Sequence, residues 1–512
     1  VRDIIAGASV GLVLIPQSMA YADLAGLPAH YGLYASALPP IAAAFFASSP
    51  YLQTGPVALT ALLTLGALTP LAATGTPEYV GLAALLALIV GLSRVLVGVL
   101  RAGGVAYMMS QPVLMGFTAG AALLILSSQL PAAVGLGSVA PAGGVLQRAG
   151  WALGHVPQWE VTAVLLSLAT IALILGSRRI HPLVPGVLLA TVGALFFSLV
   201  TDYRGAVVGE VPAGLPTLSL AMPWSALPAL VIPGVVIALV GFAEAASISR
   251  TFATQDRAFW DPDREFVSQG VANLASGLSG GFPVGGSFSR SSINRLAGAR
   301  TRWSGAVTGV LVLAFLPFAS LLAALPRAVL AAIVIAAVFK LIQLRPMLGL
   351  WRLSKPQTVI AWTTFGLTLF LSPRVDQAIL VGVVLSLGVH AWREMKIRPE
   401  SWREGETLHL RPHGVLWFGS SAALEQDLME DLKAQEGLSA VRIHLQGLGR
   451  IDLTGAMGLK QLMEDAELAG LHVSLVEVPP HADRILGRVL GWKRGEPIDR
   501  VGDSSGDAGD VA

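Results

Sequence analysis

Three stretches of this 512-residue chain carry residue types that apolar segments ordinarily exclude. In LVLIPQSMAYADLAGLPAHYGLYAS, from Leu12 to Ser36, the residues Pro16, Gln17 and Ser18 fall more than a turn inside an apolar run. Polar groups in hydrocarbon are costly unless satisfied, and non-helical backbone is tolerated there only against protein or a watery cavity. Pro16 is therefore expected to free backbone groups at mid-depth. Gln17 then lines a polar cavity, with Tyr21 as a further candidate. The alternative is a proline kink with Gln17 bonded to a neighbouring helix.

The other two stretches are TGPVALTALLTLGALTP (Thr54 to Pro70) and GGFPVGGSFSRSSINRLAG (Gly280 to Gly298). Each reads as a helix too short to span, entered through Gly and Pro. A helix N-terminus presents unpaired N–H groups and about half a positive charge. Two such ends facing each other would attract an anion with roughly one charge and no buried cation. Gly55, Pro56, Gly285 and Gly286 would let the anion reach the backbone, beside Val57 and Phe288. A branched side chain at Gly286 is expected to block that approach with the fold intact. Ser287 and Ser289 offer hydroxyls. Arg290 would add charge, or would be structural and bonded to carbonyls or to Glu244. In GFAEAASIS, Glu244 is the acidic residue within a clear apolar span, a position that marks function by default. It would bind a coupling proton or pair with Arg290. No His, Cys or Asp cluster has metal-ligand spacing and no nucleophile triad is visible, so neither a metal, a cofactor nor an enzyme is expected.

The elements that must position these residues are membrane spans. The chain is 54% hydrophobic and 13% charged, with mean hydropathy +0.67. A soluble domain carries about 25% charged residues. The net charge of +2 suggests no nucleic-acid partner, and the absence of cysteine excludes disulfides. Arg2, the apolar run and AYA at 20–22 look like a cleaved leader, but Asp3, Pro16-Gln17-Ser18 and the many later spans favour a retained span. Spans are read at 4–22, 31–47, 56–69, 79–100, 105–127, 161–176, 183–200, 226–247, 265–281, 288–300, 303–324, 327–340, 356–372 and 376–392. That makes about fourteen, at about 20 residues for a full crossing.

Charge supports the count. With the N-terminus inside, the inner connections hold Arg101, Arg178, Arg179, Arg250, Arg257, Arg264, Arg300, Arg302, Lys340, Arg345, Arg352 and Lys355. The outer ones hold only Arg148, Arg204, Arg327 and Arg374. This positive-inside asymmetry survives only if the weak spans 265–281 and 288–300 count as a pair. The two short segments are the third span of each half, the pattern of an inverted-repeat transporter. After Arg398 the pattern turns soluble and α/β: AVRIHL and HVSLVEV read as strands, and AALEQDLMEDLKAQ and TGAMGLKQLMEDAELAG as helices. The divisions expected are a membrane domain at 1–398 with repeats at about 1–200 and 201–398, a soluble domain at 399–497, and a disordered tail at 498–512.

PQSMAYADLAGLPAHYGLYAS resembles the signature of the sulfate permease (SulP) family of anion transporters. QTGPVALTALL and GSFSRSSINRLAGARTRWSG resemble its third-span and tenth-span elements. The segment after Arg398 is similar to a STAS domain, with IDLTGAMGL matching its D-x-[ST]-G loop. Two departures stand out: Pro50 where the family often has Arg, and Ala61 where Ser is common. The resemblance implies fourteen spans in two inverted repeats, forming a core and a gate domain, with substrate between half-helices three and ten beside spans one and eight. It implies a secondary active carrier of small inorganic or carboxylate anions (sulfate, bicarbonate, or a dicarboxylate such as fumarate) working by alternating access. Coupling would be to a proton or sodium. It implies a homodimer in a bacterial inner membrane, with the lipid bilayer around it and the N-terminus and STAS-like domain cytoplasmic. Thr454 matches a phosphorylatable, regulatory position, and as a residue reads as a helix N-cap beside Asp452. Rival readings are an uncoupled channel or exchanger, a nucleobase carrier of the same fold, and a membrane sensor signalling through its STAS-like domain.

Overall fold

The computed structural model describes every residue except 108, 109, 138, 140–142, 182, 213, 343, 436 and 492–512. The tail expected at 498–512, and the soluble domain's boundary at 497, lie outside the described residues. The membrane part is built from α1 (Arg2–Leu24), α2 (His30–Phe46), α3 (Ala58–Leu68), α4 (Pro77–Val99), α5 (Gln111–Ala133), α6 (Val145–Gly154), α7 (Val161–Ile180) and α8 (Gly186–Thr201). A second series follows: α9 (Leu227–Gln255), α10 (Pro262–Leu278), α11 (Phe288–Leu296), α12 (Trp303–Phe315), α13 (Arg327–Val338), α14 (Leu344–Leu353), α15 (Lys355–Phe370) and α16 (Val375–Glu394). Two short strands, β1 (Thr54–Gly55) and β2 (Gly285–Gly286), precede α3 and α11.

All the expected spans fall on helices, with corrections at their ends. The fifth begins at Gln111, not 105, with Pro112 in its first turn, where no helical N–H is needed. The eleventh tightens into a 3-10 helix at Leu316–Leu322, where Pro317 removes an N–H. Two short helices, α6 and α14, were read as connections; each sits between the fifth and sixth span of its half. Among the described residues, six helices are long and apolar enough to cross a membrane alone. α1 runs unbroken through Pro16. The proline withdraws one N–H from the Leu12 carbonyl and leaves the remaining turns intact.

The packing repeats itself across the two halves. α2 lies on α12 and α10 lies on α4, the second and fourth spans exchanged between halves. α7 packs on α13 and α15 on α5, which exchanges the fifth and sixth in the same way. β1 pairs with β2, joining the two third spans. These are the contacts of two intertwined inverted repeats. Small residues let the backbones meet: a Cβ at Gly270 would lie 2.7 Å from the Val95 nitrogen and 2.9 Å from the Gly91 carbonyl.

Arg94, in the middle of the apolar run of α4, is wholly buried. It donates to the carbonyls of Ala238 (3.0 Å) and Ile237 (3.3 Å) in α9 and to that of Val284 (2.9 Å), just before β2. One cation thus ties a helix of the first half to two segments of the second.

The chain divides within α16 into a unit of Val1–Val384 and a second from Leu385 onward. The second unit contains β3 (Arg398–Glu404), β4 (Thr407–Leu416), α17 (Phe418–Ala434), β5 (Ala440–His444), β6 (Leu448–Ile451), α18 (Leu453–Leu468), β7 (His472–Val476) and α19 (Asp483–Leu490). Its sheet runs β3-β4-β5-β7, with β6 on the far end of β4; only the β3–β4 pair is antiparallel. Alternate residues Leu408, Leu410, Val441, Ile443, Val473 and Leu475 join a core with Leu424, Leu428, Leu459 and Leu486 of the helices.

Arg94→Met should lower stability by roughly 3 kcal/mol, because three carbonyls lose a charged donor. Thermal unfolding of the purified protein in detergent checks this. A melting temperature equal to that of the wild type would show that the carbonyls find other partners.

Candidate anion site at the crossing of two half-helices

The site is organised by a ribbon of two residue pairs, Thr54 with Gly286 and Gly55 with Gly285, running antiparallel. α3 leaves this ribbon after Pro56 and Val57, and α11 leaves it after Ser287. The N-termini of both short helices therefore open beside the same strands. Ser287 N–H donates to the Gln53 carbonyl (3.1 Å), and Gln53 N–H donates to the Ser291 hydroxyl (2.9 Å). Gln269 of α10 donates to the Thr54 hydroxyl at 2.7 Å. Asn273, one turn on, holds Val284 at both its N–H (2.9 Å) and its C=O (3.0 Å).

Arg290 is fully buried in the first turn of α11. Its Nη1 donates to Oε1 of Gln17 in α1 at 3.2 Å. Its Nε and Nη2 have no hydrogen-bond partner among the described residues. A Cβ built on Gly55 would lie 3.4 Å from Nη2, so the free edge of the guanidinium borders β1. Gln17, Tyr21, Val57 and Ser287 are buried around it, and Ser287 Oγ caps α11 by accepting from Arg290 N–H (3.5 Å). Gln17 is thus bonded to a neighbouring helix, the alternative expected for it, and lies beside the free edge of Arg290.

Glu244 is half-buried on α9, within electrostatic reach of Arg290. No ion pair joins the two among the described residues, so the simple Glu244–Arg290 pairing is corrected: Gln17 occupies the bonded edge of the guanidinium. Phe288 and Ser289 are exposed; Phe288 stacks towards Phe252 (6.0 Å between rings) and Ser289 Oγ lies 3.3 Å from Ser287 Oγ. The two glycines of β2 face packing. A Cβ on Gly285 would meet Val57 at 3.3 Å, and one on Gly286 would meet Leu52 at 2.8 Å and Ala245 at 3.1 Å. A branched residue at Gly286 would therefore disturb the fold first, contrary to expectation. Thr454 belongs to the second unit. It is exposed in the first turn of α18, and the cap is Asp452, which accepts from Gly455 N–H at 2.7 Å.

Sequence reasoning passed over Arg94, Glu265, Gln269 and Asn273. A lone Arg in LIVGLSRVLVGVL carried the same signal as Glu244. Glu265, Gln269 and Asn273 are four apart, so they share one face of α10. The fully buried Glu265 accepts from the N–H groups of Ser48 (3.1 Å) and Ser49 (2.8 Å) and from Trp260 Nε1 (3.4 Å), fixing the loop that enters β1. No cluster fit to hold a metal occurs among the described residues.

Inverted repeats whose third spans are half-helices meeting at a buried cation define a secondary-transporter architecture. This chain belongs to the sulfate permease family: residues 1–364 match the Sulfate permease family model, and residues 398–490 match the STAS domain. It is 30% identical over 516 residues to "Sulfate transporter 4.1, chloroplastic" of Arabidopsis thaliana, covering 92% of this chain and 74% of that one. A probable sulfate transporter of Mycobacterium tuberculosis is 37% identical over 396 residues, covering 75% and 69%. In fold, the chain is similar to the murine Slc26a9 anion transporter in the inward-facing state (TM-score 0.88, 21% identity, 95% and 87% covered). It is also similar to the transmembrane domain of the cyanobacterial bicarbonate transporter BicA (TM-score 0.64, 24% identity, 76% and 97% covered). The chain is a multi-pass membrane anion transporter with a C-terminal STAS domain, and not an enzyme.

Gly55→Ala and Gly286→Ala should separate site from packing. The first puts a methyl group beside the free edge of Arg290 and should weaken anion binding at least about tenfold, or 1.4 kcal/mol; because Gly55 holds φ at +158°, it should also lower the melting temperature modestly. The second should lower the melting temperature first. Calorimetric binding and thermal unfolding of both variants test the assignment; equal affinities for Gly55→Ala and the wild type would place the anion elsewhere.

Proposed function

We propose that this protein is a secondary active transporter of a small oxyanion, sulfate foremost, that binds its substrate on the free edge of Arg290 and couples transport to a proton on Glu244. One observation carries the reading: Nε–H and Nη2–H of Arg290 are buried and unpaired while Nη1 is held by Gln17. Those two donors form one edge of a planar fork, which matches two oxygens of one anion and is wasted on a spherical halide. The helix ends of α3 and α11 add roughly one positive charge, so with Arg290 the site offers about two. Names of the relatives favour sulfate within this class, and a dicarboxylate such as fumarate or the monoanion bicarbonate would use the same fork. Gly55, Pro56, Val57, Gly285, Gly286, Ser287, Phe288 and Ser289 form the two helix entrances, with Tyr21 one turn beyond Gln17. Transport proceeds by alternating access of a core domain against a gate domain. We further propose a homodimer in an inner membrane with the N-terminus and the STAS domain cytoplasmic, the orientation that the positive-inside charges favour. Thr454, exposed at a helix start, is the proposed regulatory position.

Arg290→Lys keeps the charge and loses the fork. Sulfate affinity should fall at least about tenfold, while the weaker binding of chloride changes little. Binding assays on the purified variant read both; an equal loss for the two anions would remove the fork argument. Uptake of radiolabelled sulfate, bicarbonate, fumarate and uracil into proteoliposomes tests the class, and failure to accumulate any anion would refute it.

Glu244 sets the charge balance. Ionised, it lowers the site from about two positive charges to about one, so a dianion binds best with Glu244 protonated. That ties one proton to each dianion. Glu244→Gln should keep or improve sulfate binding, flatten the pH dependence of uptake, and abolish accumulation driven by a proton gradient. Proteoliposome uptake at several outside pH values, with and without the gradient, measures this. A Gln variant that still concentrates sulfate on a proton gradient would assign coupling to another group or to sodium.

A further inference from the structure

One face of the STAS sheet carries a chain of four titratable side chains that the transport reading does not use. Glu404 Oε2 lies 3.6 Å from Nε2 of His409; His409 Nδ1 lies 2.9 Å from Nε2 of His444; and His444 Nδ1 lies 3.1 Å from Oε2 of Glu477. The residues come from β3, β4, β5 and the turn after β7. The imidazole planes are 28° apart with centroids at 5.2 Å, so the rings meet edge to edge, as a bond between ring nitrogens requires. Trp402 packs against both rings, at 5.0 and 5.1 Å, and Arg411 packs over Trp402. Arg442 of β5 lies in register with His409. The opposite sheet face is apolar and faces the helices.

We infer that this chain is a proton-binding site, in which the His409–His444 pair holds at most one charge and a second proton breaks the pair. The argument is a count of N–H groups and does not depend on tautomer. Two hydrogen bonds, one between the rings and one from His444 to Glu477, need two N–H donors. Two neutral imidazoles carry two and make both; the Glu404 contact, at 3.6 Å, is too long for a hydrogen bond and gains only when the pair is charged. One neutral ring and one imidazolium carry three, and every contact is made. Two imidazoliums carry four, and N–H then faces N–H across a 2.9 Å gap with like charges on both rings.

Burial lowers the pKa of His409; Glu404 opposes this, and His444 and Arg442 add to it. Trp402 offers a π face to a charge on either ring. The backbone supports the same reading. Glu477 holds φ at +57°, a conformation unfavourable for a residue with a side chain, at the point where its carboxylate reaches His444. The bond between the rings is present above the acid step and is lost when the pair accepts a second proton. On the acid side β4 and β5 then lose the side-chain bond between His409 and His444, which makes the STAS sheet responsive to pH independently of the anion site.

The test uses the full-length protein in lipid nanodiscs with histidine labelled at Cε1. The chain has nine histidines, so the two resonances are identifiable by their loss in His409→Gln and His444→Gln. Titration from pH 5 to pH 8.5 should move both resonances together in two shared steps, the mark of a coupled pair. Glu477→Gln, a change at an exposed side chain, should lower the upper step by about one pH unit. Hydrogen exchange of peptides covering 407–410 and 440–444, corrected for intrinsic rates, should rise at least about tenfold through the acid step. Two independent single-step titrations would overturn the proposal. So would an acid-side rise in exchange that persists unchanged in His409→Gln, or an upper step that Glu477→Gln leaves in place.

Discussion

A ribbon of two residue pairs inside a helical membrane bundle leaves backbone N–H and C=O groups that no helix supplies with partners. In a bilayer each such group must be satisfied by protein or by a polar cavity. Much of the buried polarity in the first unit serves this demand. Asn273 takes both backbone groups of Val284, Arg94 takes a second bond to the same carbonyl, Ser291 accepts from Gln53 and Gln269 holds Thr54. The helices that carry these side chains are in turn held by close backbone approach, as at Gly91 and Gly270. Once the ribbon is fixed, the starts of α3 and α11 have no freedom to separate.

Two buried arginines show how the same residue serves frame and site. Both are wholly buried. Arg94 bonds each of its three nitrogens to a carbonyl. Arg290 has one bond, to Gln17, and two unpaired nitrogens. Burying an unpaired cation is expensive, so the arrangement is economical only where an anion visits. The number of bonds to protein, and not burial, separates the two roles.

Much of this was legible in the sequence. The order and type of the helices followed from apolar runs, and the positive-inside charges rescued the two weak spans. Those spans were weak for a physical reason: α10 and α11 turn polar faces, with Gln269, Asn273, Ser291 and Asn294 all buried, towards the ribbon. Hydropathy averages over both faces and reports the mean. Arg290 and Gln17 were visible as misplaced polar residues, but their bond joins positions 273 apart in sequence, which no local pattern encodes. The direction of the glycine Cβ vectors was equally invisible. Gly55 points at the arginine and Gly286 points into Leu52 and Ala245, although both sit in similar Gly-rich motifs. Pro16 frees one backbone group, the Leu12 carbonyl, without obliging the helix to break.

The two halves share a backbone plan and differ in chemistry, and that difference decides what an anion meets. In α3, the sequence ALTALLTLGAL offers hydroxyls only at Thr60 and Thr64, and both are bonded to carbonyls of their own helix, at 3.2 and 2.7 Å. α3 therefore contributes its N-terminal backbone and little else. In α11, FSRSSINRL places Ser287 at the cap and Arg290 in the first turn. A symmetric pair of helix ends alone would hold an anion on the pseudo-twofold axis with no preferred orientation. In the proposed site Arg290 breaks that balance: an anion bound there would be drawn off the axis towards α11 and oriented by the flat edge of one guanidinium. Gln17 fixes that edge by holding the opposite nitrogen, so α1 would orient the anion without touching it. Movement of α1 relative to α11 would then release the guanidinium and the substrate together, and the Gln17–Arg290 bond would link the opening of the proposed site to the loss of its affinity.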